Sequence, residues 1–203
     1  MLDRAFIGQG LTIVLVTSLA VAANAQRRGQ PEQPAPTLEV VDYAAPPATL
    51  EELWQHANLI VRARVVRNHP AVAKHTSGAP TVLRYQELDI TEVLKEDRLR
   101  RPGNIQVKQE GGSLIVDGRQ VETAYTAKLL QAGDDVVLFL NRDAAGDGYW
   151  IAYGSVGVIW IGPQDSDVSL PRALAKMPTF AALGQIKPDG LMSQLRTMAK
   201  KNK

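Results

Sequence analysis

The sequence predicts a mainly β protein, a small closed antiparallel barrel flanked by an N-terminal and a C-terminal helix. Short apolar stretches with period two recur between turn-forming residues through the middle of the chain. A capped amphipathic helix precedes these stretches, and a second helical pattern follows them. The chain of 203 residues is 45% hydrophobic and 22% charged, which is typical of a globular domain and argues against disorder along its whole length.

Composition excludes several classes of protein. A total of 23 Lys and Arg against 21 Asp and Glu leaves a formal net charge of +2. This charge is too small for a dedicated polybasic nucleic-acid binder. Because the chain has no cysteine, disulfides, thiol catalysis and cysteine-ligated zinc are excluded. Its stability must therefore come from an apolar core.

Residues 1–25 have the pattern of a secretory signal peptide. A short basic start leads into an apolar stretch, and Ala-Asn-Ala at 23–25 matches the small-x-small cleavage pattern. We expect cleavage after Ala25, which makes Gln26 the first residue of an exported chain, periplasmic or extracellular. A retained membrane anchor is the alternative, but the apolar stretch is short for a span of about 20 residues. After cleavage, we expect no attachment to the membrane.

The rest of the chain divides into three parts. Residues 26–48 are rich in proline and predict a linker or arm, within which 38–43 fit a short edge strand. The barrel is expected over 49–161. An irregular segment with a C-terminal helix is expected over 162–203, because prolines interrupt its first half.

Both helices are predicted from local signals. Thr49 and Glu52 form a capping-box pattern, so a helix begins at Leu50. Apolar residues follow at i, i+3, i+4 and i+7 and give this helix one apolar face. Near the C-terminus, 191–200 repeat leucine and methionine at helical spacing and end in lysines, which suit a helix C-terminus.

The strands alternate in a way that suits an antiparallel sheet. They are predicted at 59–67, 85–94, 105–108, 114–121 as a hairpin, 136–140, 149–153 and 156–161. Asp117-Gly118 favours a type I′ turn in that hairpin, and two adjacent apolar residues after Glu92 indicate a bulge or bend there. The run 136–140 is apolar throughout, which predicts burial on both faces with a helix covering one of them. Such strands favour a small closed barrel or sandwich, and a strongly bent five-stranded barrel is the OB-fold solution.

Several segments carry a resemblance to known proteins. They are LEELWQHANLIVRARVV, YQELDITEVLKED, PGNIQVKQEGG, LQAGDDVVLFLNRD and YGSVGVIWI, and they span roughly residues 49–161. In this succession the chain resembles a family of uncharacterised secreted bacterial proteins, although Glu96 stands where the family pattern has glycine. The layout is similar in turn to netrin-like domains and tissue inhibitors of metalloproteinases, so the resemblance implies an OB-type barrel paired with helices.

The inhibitory mechanism of those proteins does not transfer to this chain. The tissue inhibitors chelate a protease zinc through an N-terminal cysteine and are cross-linked by disulfides. This chain has no cysteine and is expected to begin at Gln26.

A search for catalytic and cofactor motifs returns none. The patterns G-x-S-x-G, H-E-x-x-H, G-x-G-x-x-G and the Walker loop are missing, and the polar run 141–148 lacks the ligand spacing of a calcium loop. We therefore predict no catalytic residue, no cofactor and a non-enzymatic protein. His69 and His75 share one loop and are the candidate metal ligands, although no close ligand pair supports a site.

A basic stripe is the predicted ligand-binding feature. Arg62 and Arg64, with Arg84 and Lys108 on other strands, are expected to line one face of the sheet. OB barrels often bind ligands on such a face, and a merely solvated sheet face is the alternative. The candidate stacking residues are Tyr85, Tyr149, Trp150, Tyr153 and Trp160, for most of which core packing is the alternative explanation.

The leading hypothesis is an exported, non-enzymatic binding or interaction module. Because export argues against nucleic acid, its partner is expected to be an anionic glycan or another envelope protein. The netrin-like resemblance implies one alternative, an inhibitor or regulator of an exported peptidase. A second alternative is a hydrolase that uses carboxylates such as Asp89, Glu92 and Asp134, which requires a pocket that brings two of them together.

Overall fold

More of the described residues lie in strands than in helices. The computed structural model describes residues 37–39, 45–74, 80–96, 104–123, 128–144, 146, 148–154, 156–163 and 165–202. The predicted signal peptide at 1–25, its cleavage site at Ala25 and Gln26, and the arm up to residue 36 lie outside these residues. In chain order the elements are β1 (Thr37–Glu39), α1 (Leu50–His56), β2 (Leu59–Asn68), β3 (Val72–Lys74), β4 (Thr81–Lys95), β5 (Ile105–Glu110), β6 (Gly112–Val116), β7 (Arg119–Thr123), β8 (Asp135–Arg142), β9 (Tyr149–Ile151), β10 (Val158–Trp160), α2 (Arg172–Ala175), α3 (Pro178–Ala181), a 3₁₀ turn (Leu183–Gln185) and α4 (Pro188–Lys201).

A closed ring of strands forms the barrel. Antiparallel pairing runs from β8 through β2 and β4 to β5. Strand β9 pairs with both β5 and β8, which closes the ring. The predicted small OB-like barrel with flanking helices is therefore confirmed.

One pair in the ring is parallel, in contrast to the wholly antiparallel barrel that the sequence predicts. Strands β5 and β9 run in the same direction, with Val107 beside Tyr149 and Lys108 beside Trp150. Strands that alternate in direction around a closed ring must be even in number. Because this ring has five strands, one neighbouring pair has to be parallel.

Aliphatic side chains fill the inside of the barrel. Strand β8 contributes every second residue to this inner core, and Leu130, which precedes β8, packs among them. The buried members are Leu59, Val61, Ala63, Val65, Leu88, Ile105, Val107, Leu130, Val136, Leu138, Leu140, Tyr149, Ile151, Val158 and Trp160. This set contains aromatic and aliphatic groups only, as expected for a cysteine-free chain that depends on apolar burial.

A second apolar core lies between the barrel and the helices. The intervening residues of β8, Val137 and Phe139, are completely buried here beside side chains of α1 and α4. Leu174 and Phe180 of the segment before α4 also belong to this outer core. The prediction that 136–140 is buried on both faces, one of them beneath a helix, is thus confirmed.

The cap of α1 forms as the sequence predicts. The Thr49 hydroxyl accepts from the Glu52 amide at 3.1 Å. The Glu52 carboxylate in turn accepts from the Ala48 amide at 2.7 Å, one residue before the cap. Two amides at the start of the helix therefore have side-chain acceptors, which stabilises this short helix.

Lys95 ties the other end of α1 to the barrel. Its Nζ donates to the carbonyl oxygens of Trp54 at 2.8 Å, Gln55 at 3.3 Å and Ala57 at 2.6 Å. A cation among the last carbonyls of a helix satisfies unpaired acceptors and interacts favourably with the helix dipole. Burial lowers the pKa of Lys95 from its usual value.

Irregularities in the strands lie where turn and bulge signals predict them. Between β2 and β4 the register skips Thr91 and Leu94, which confirms a bulge near Glu92. The hairpin of β6 and β7 turns at Asp117 and Gly118, whose φ angles of 50° and 74° suit a type I′ turn.

Some elements differ from the prediction. Strand β3 lies within a stretch predicted as loop and pairs with the start of β4. Helix α4 begins at Pro188, ahead of the predicted 191, because proline is well suited to the first turn of a helix. Strand β1 overlaps the predicted edge strand and pairs in parallel with β7. Among the described residues, every helix is too short or too polar to cross a membrane.

Two buried glutamines on the inner side of the barrel allow a matched test of packing. Both amide atoms of Gln86 are buried without a hydrogen-bond partner among the described residues, whereas Gln109 accepts from the Leu130 amide at 3.1 Å. We expect Gln86→Leu to raise the free energy of unfolding by about 1 kcal/mol and Gln109→Leu to lower it by a similar amount. Urea unfolding measures both changes; equal losses in the two variants would contradict this account.

A close approach of backbone strands requires glycine at position 157. A Cβ there would lie 2.8 Å from the carbonyl oxygens of both Ala152 and Phe139. We expect Gly157→Ala to lower the free energy of unfolding by roughly 1–3 kcal/mol. The matched control is Gly190→Ala in α4, where the added Cβ meets only Ile186 at 3.8 Å. Gly190→Ala should raise the free energy of unfolding by about 0.5–1 kcal/mol, because alanine is favoured over glycine inside a helix. Urea unfolding of both variants measures the two changes.

Candidate ligand-binding face

The arginines of β2 face acidic residues across the strand pair. In the register of β2 and β4, Arg62 lies beside Glu92, Arg64 beside Asp89, and Arg67 beside Glu87. Opposite charges in such cross-strand positions attract each other. The predicted basic stripe is therefore a surface of mixed charge on its β2 side.

A groove of about 380 Å³ runs along this mixed surface, between β2, β4 and β8. Its volume is within the range of small-molecule sites in proteins. The lining residues are Arg62, Arg64, Asp89, Thr91, Glu92 and Asp135.

Bidentate ion pairs form at two places in the groove. Arg62 donates to Asp135 through Nε at 3.2 Å and Nη2 at 2.7 Å. Arg196 of α4 donates to Glu92 through Nε and Nη2, both at 2.8 Å. The hydrogen bond from Arg196 holds the pKa of Glu92 below its usual value, and the bond to Asp135 raises the pKa of Arg62. These four side chains are thus held in one orientation.

Arg64 and Asp89 stand apart from these pairs. Both side chains are exposed, and neither forms an ion pair with another described residue. They lie beside each other in the strand register, next to Arg62 and Glu92, and Asp135 lies beside Arg64 on the other side of β2. The groove therefore offers one available cation and one available carboxylate.

The structure separates Arg84 from the other predicted site residues. Arg84 lies on the same side of β4 as the completely buried Gln86, because two residues separate them along the strand. Its Nε donates to the Gly111 carbonyl at 3.2 Å, and its guanidinium packs against Gly112. The side of the sheet that Arg62 and Arg64 occupy does not include Arg84.

Lys108 lies on the outer side of the barrel, within a second feature that we call the aromatic row. Tyr85 on β4 and Trp150 on β9 flank Lys108 on β5 in direct register. The Lys108 Nζ lies 5.8 Å from the Tyr85 ring centroid and 5.9 Å from the Trp150 ring centroid, and it pairs with the Asp143 carboxylate. The lysine is 3% exposed, whereas both rings are half-buried.

The remaining aromatic candidates belong to the two cores. Tyr149 and Trp160 pack inside the barrel, and Tyr153 packs against the outer core. Alternation along β9 explains the contrast between Tyr149 and Trp150, because successive side chains of a strand point to opposite sides. Sequence reasoning included Tyr85 and Trp150 among the stacking candidates but did not predict Asp135, Asp143 or Arg196, which have no sequence neighbours in the site.

Of the two candidate metal ligands, the structure describes only His69. His69 is half-buried, and its amide donates to the Tyr85 carbonyl at 2.9 Å, while His75 lies outside the described residues. Within the described ranges, no group of three or more His, Asp or Glu side chains is arranged to hold a metal ion.

Comparison of the chain with protein-family models, curated proteins and solved structures finds no match.

The pair between Glu92 and Arg196 should make stability depend on pH. Since the pKa of Glu92 is lower in the folded chain than in the unfolded chain, the contribution of the pair is complete above the unfolded value of about 4.3. It is lost as pH falls through the folded value. We therefore expect Glu92→Gln to destabilise the protein at pH 7 and to have a smaller effect near pH 3, as measured by urea unfolding.

The control for this measurement is Glu96→Gln. Glu96 is exposed and forms no ion pair with the described residues. Its substitution should leave the difference between pH 7 and pH 3 unchanged. A Glu92→Gln effect of the same size at both pH values would mean that packing, and not charge, accounts for the role of Glu92.

Proposed function

We propose that the protein is an exported, non-enzymatic binding module, and that the aromatic row of Tyr85, Lys108 and Trp150 is its binding surface for a glycan. The observation that carries this proposal is the pair of half-exposed rings on either side of a buried, ion-paired lysine. Aromatic rings present flat apolar faces, on which the apolar faces of sugar rings can stack.

The geometry of the row favours a chain-like ligand over a single sugar. Tyr85 and Trp150 are separated by two strand spacings, or about 10 Å. The ion pair with Asp143 limits the motion of Lys108, so the rings have a fixed neighbour and lose little freedom when a ligand binds. Strands β4 and β5 are the second and third of the barrel, the face that binds oligosaccharides in other OB-folds.

The pKa of Glu92 and the hydrogen bonds of Asp134 favour a binding function over hydrolysis. Asp89 and Glu92, two of the carboxylates of the hydrolase alternative, both line the groove. A general acid, however, needs a raised pKa, and the Arg196 guanidinium shifts the pKa of Glu92 in the opposite direction. Asp134 is engaged elsewhere, accepting from the Gln131 amide at 2.9 Å and from Trp160 Nε1 at 3.2 Å.

Binding of a β-1,4-linked N-acetylglucosamine oligomer, measured by isothermal titration, tests the proposal. We expect Tyr85→Ala and Trp150→Ala each to weaken binding about tenfold, since each removes a stacking surface worth about 1 kcal/mol or more. Tyr153→Ala is the control, because its ring packs against the outer core. Shifts of the Trp150 indole N–H resonance on titration give a second readout that needs no variant.

Two results would overturn the proposal. One is a wild-type chain that binds no glycan oligomer; the other is a double Tyr85→Ala, Trp150→Ala variant that binds as well as wild type. Inhibition of exported peptidases by the same preparation would favour the inhibitor alternative.

A further inference from the structure

The aromatic row and the mixed-charge groove lie on one continuous side of β4. Tyr85, Glu87 and Asp89 alternate along this strand, so their side chains leave the barrel on the same side. Tyr85 belongs to the row and Asp89 to the groove. Four residues of extended strand separate them, or about 13 Å. An oligomeric ligand that stacks on the row can therefore extend into the groove.

The surface between the two features presents little obstacle. Glu87 lies between Tyr85 and Asp89, and its carboxylate is 3.8 Å from Arg67 Nε. The Arg67 side chain is 70% exposed, so this pair is solvated and its charges balance. A ligand that crosses it meets no unpaired charge.

The groove itself selects for two opposite charges. The bidentate pairs of Arg62 with Asp135 and of Glu92 with Arg196 satisfy their own charges. Arg64 can still bind a carboxylate in a bidentate arrangement, and Asp89 can accept from an ammonium group. A polyanion would meet the carboxylates that line the groove, which disfavours it.

We infer that the ligand is a glycan that carries both carboxylate and ammonium groups, with its sugar rings on the aromatic row and its charged groups at Arg64 and Asp89. The inference rests on the proposed function and narrows it. Of the two partners expected from the sequence, an anionic glycan and an envelope protein, it keeps the glycan and replaces net negative charge with paired opposite charges. It also gives a role to Arg64, which the sequence analysis names as a candidate ligand-binding residue and which forms no ion pair with the described residues.

Four oligosaccharides of equal length test the inference at physiological salt. They are a neutral β-1,4-linked N-acetylglucosamine oligomer, a cationic chitosan oligomer, an anionic hyaluronan oligomer and a zwitterionic carboxymethyl chitosan oligomer. We expect the zwitterionic oligomer to bind about fivefold more tightly than the neutral one, which corresponds to about 0.5 kcal/mol for each of two exposed charge contacts. Hyaluronan should bind most weakly.

Variants separate the charge preference from stacking. Arg64→Gln and Asp89→Asn should each weaken binding of the zwitterionic oligomer more than binding of the neutral oligomer, and so reduce the preference between the two. Arg172→Gln and Asp165→Asn, at exposed positions outside the groove, are the matched controls and should keep the preference. Circular dichroism and urea unfolding confirm that each variant is folded.

The outcomes distinguish the inference from the proposed function. If the neutral oligomer binds as tightly as the zwitterionic one, or hyaluronan binds most tightly, the inference is wrong and the glycan-binding function stands. If no oligomer binds, both are wrong. If Arg64→Gln and Asp89→Asn keep the full preference, the groove is not its source and the inference is wrong.

Discussion

Closing a barrel from an odd number of strands is the constraint on which this molecule depends. One neighbouring pair in such a ring must be parallel, and here it is β5 with β9. Strand β9 is only three residues long, yet it pairs on both sides and completes the ring. The same pairing brings Trp150 beside Lys108 and so assembles the aromatic row. The pairing of β5 with β9 therefore both closes the barrel and forms the candidate site.

Strand β8 lets a cysteine-free chain fold around two cores. Its alternate residues pack inside the barrel and beneath the helices, so the strand is buried from Val136 to Leu140. Burial of a whole aliphatic side chain stabilises the folded state by about 1.5–3 kcal/mol. Lys95 supports this arrangement by fixing α1 over the outer core with hydrogen bonds to three carbonyl oxygens at the C-terminal end of the helix. Apolar packing on both sides of β8 thus supplies the stability that disulfides provide in many exported proteins.

Local signals predict local structure well, whereas the site depends on register. Thr49 with Glu52, and Asp117 with Gly118, act over a few residues, and both produce the predicted cap and turn. The side on which Arg84 lies depends instead on how β4 aligns with β2, and that register skips residues at several points. Asp135 is 73 positions from Arg62 along the chain, so a basic stripe on β2 is neutralised by a residue that no local pattern relates to it.

Under the proposed function, the charged pairs around the groove contribute more to specificity than to stability. The Arg62 and Asp135 side chains are each about a third exposed, and Arg196 is more exposed than either. Ion pairs at such positions contribute about 0–1 kcal/mol to folding, much less than the aliphatic cores. Their bidentate geometry still fixes where each charge lies, and in the proposed function these fixed charges would disfavour a ligand whose charges do not match them. Because the cores hold the strands in register, the charges on the outer side can vary with little cost to the fold. Under the proposed function, substitutions at outward residues of β2, β4, β5 and β9 would change the ligand without disturbing either core.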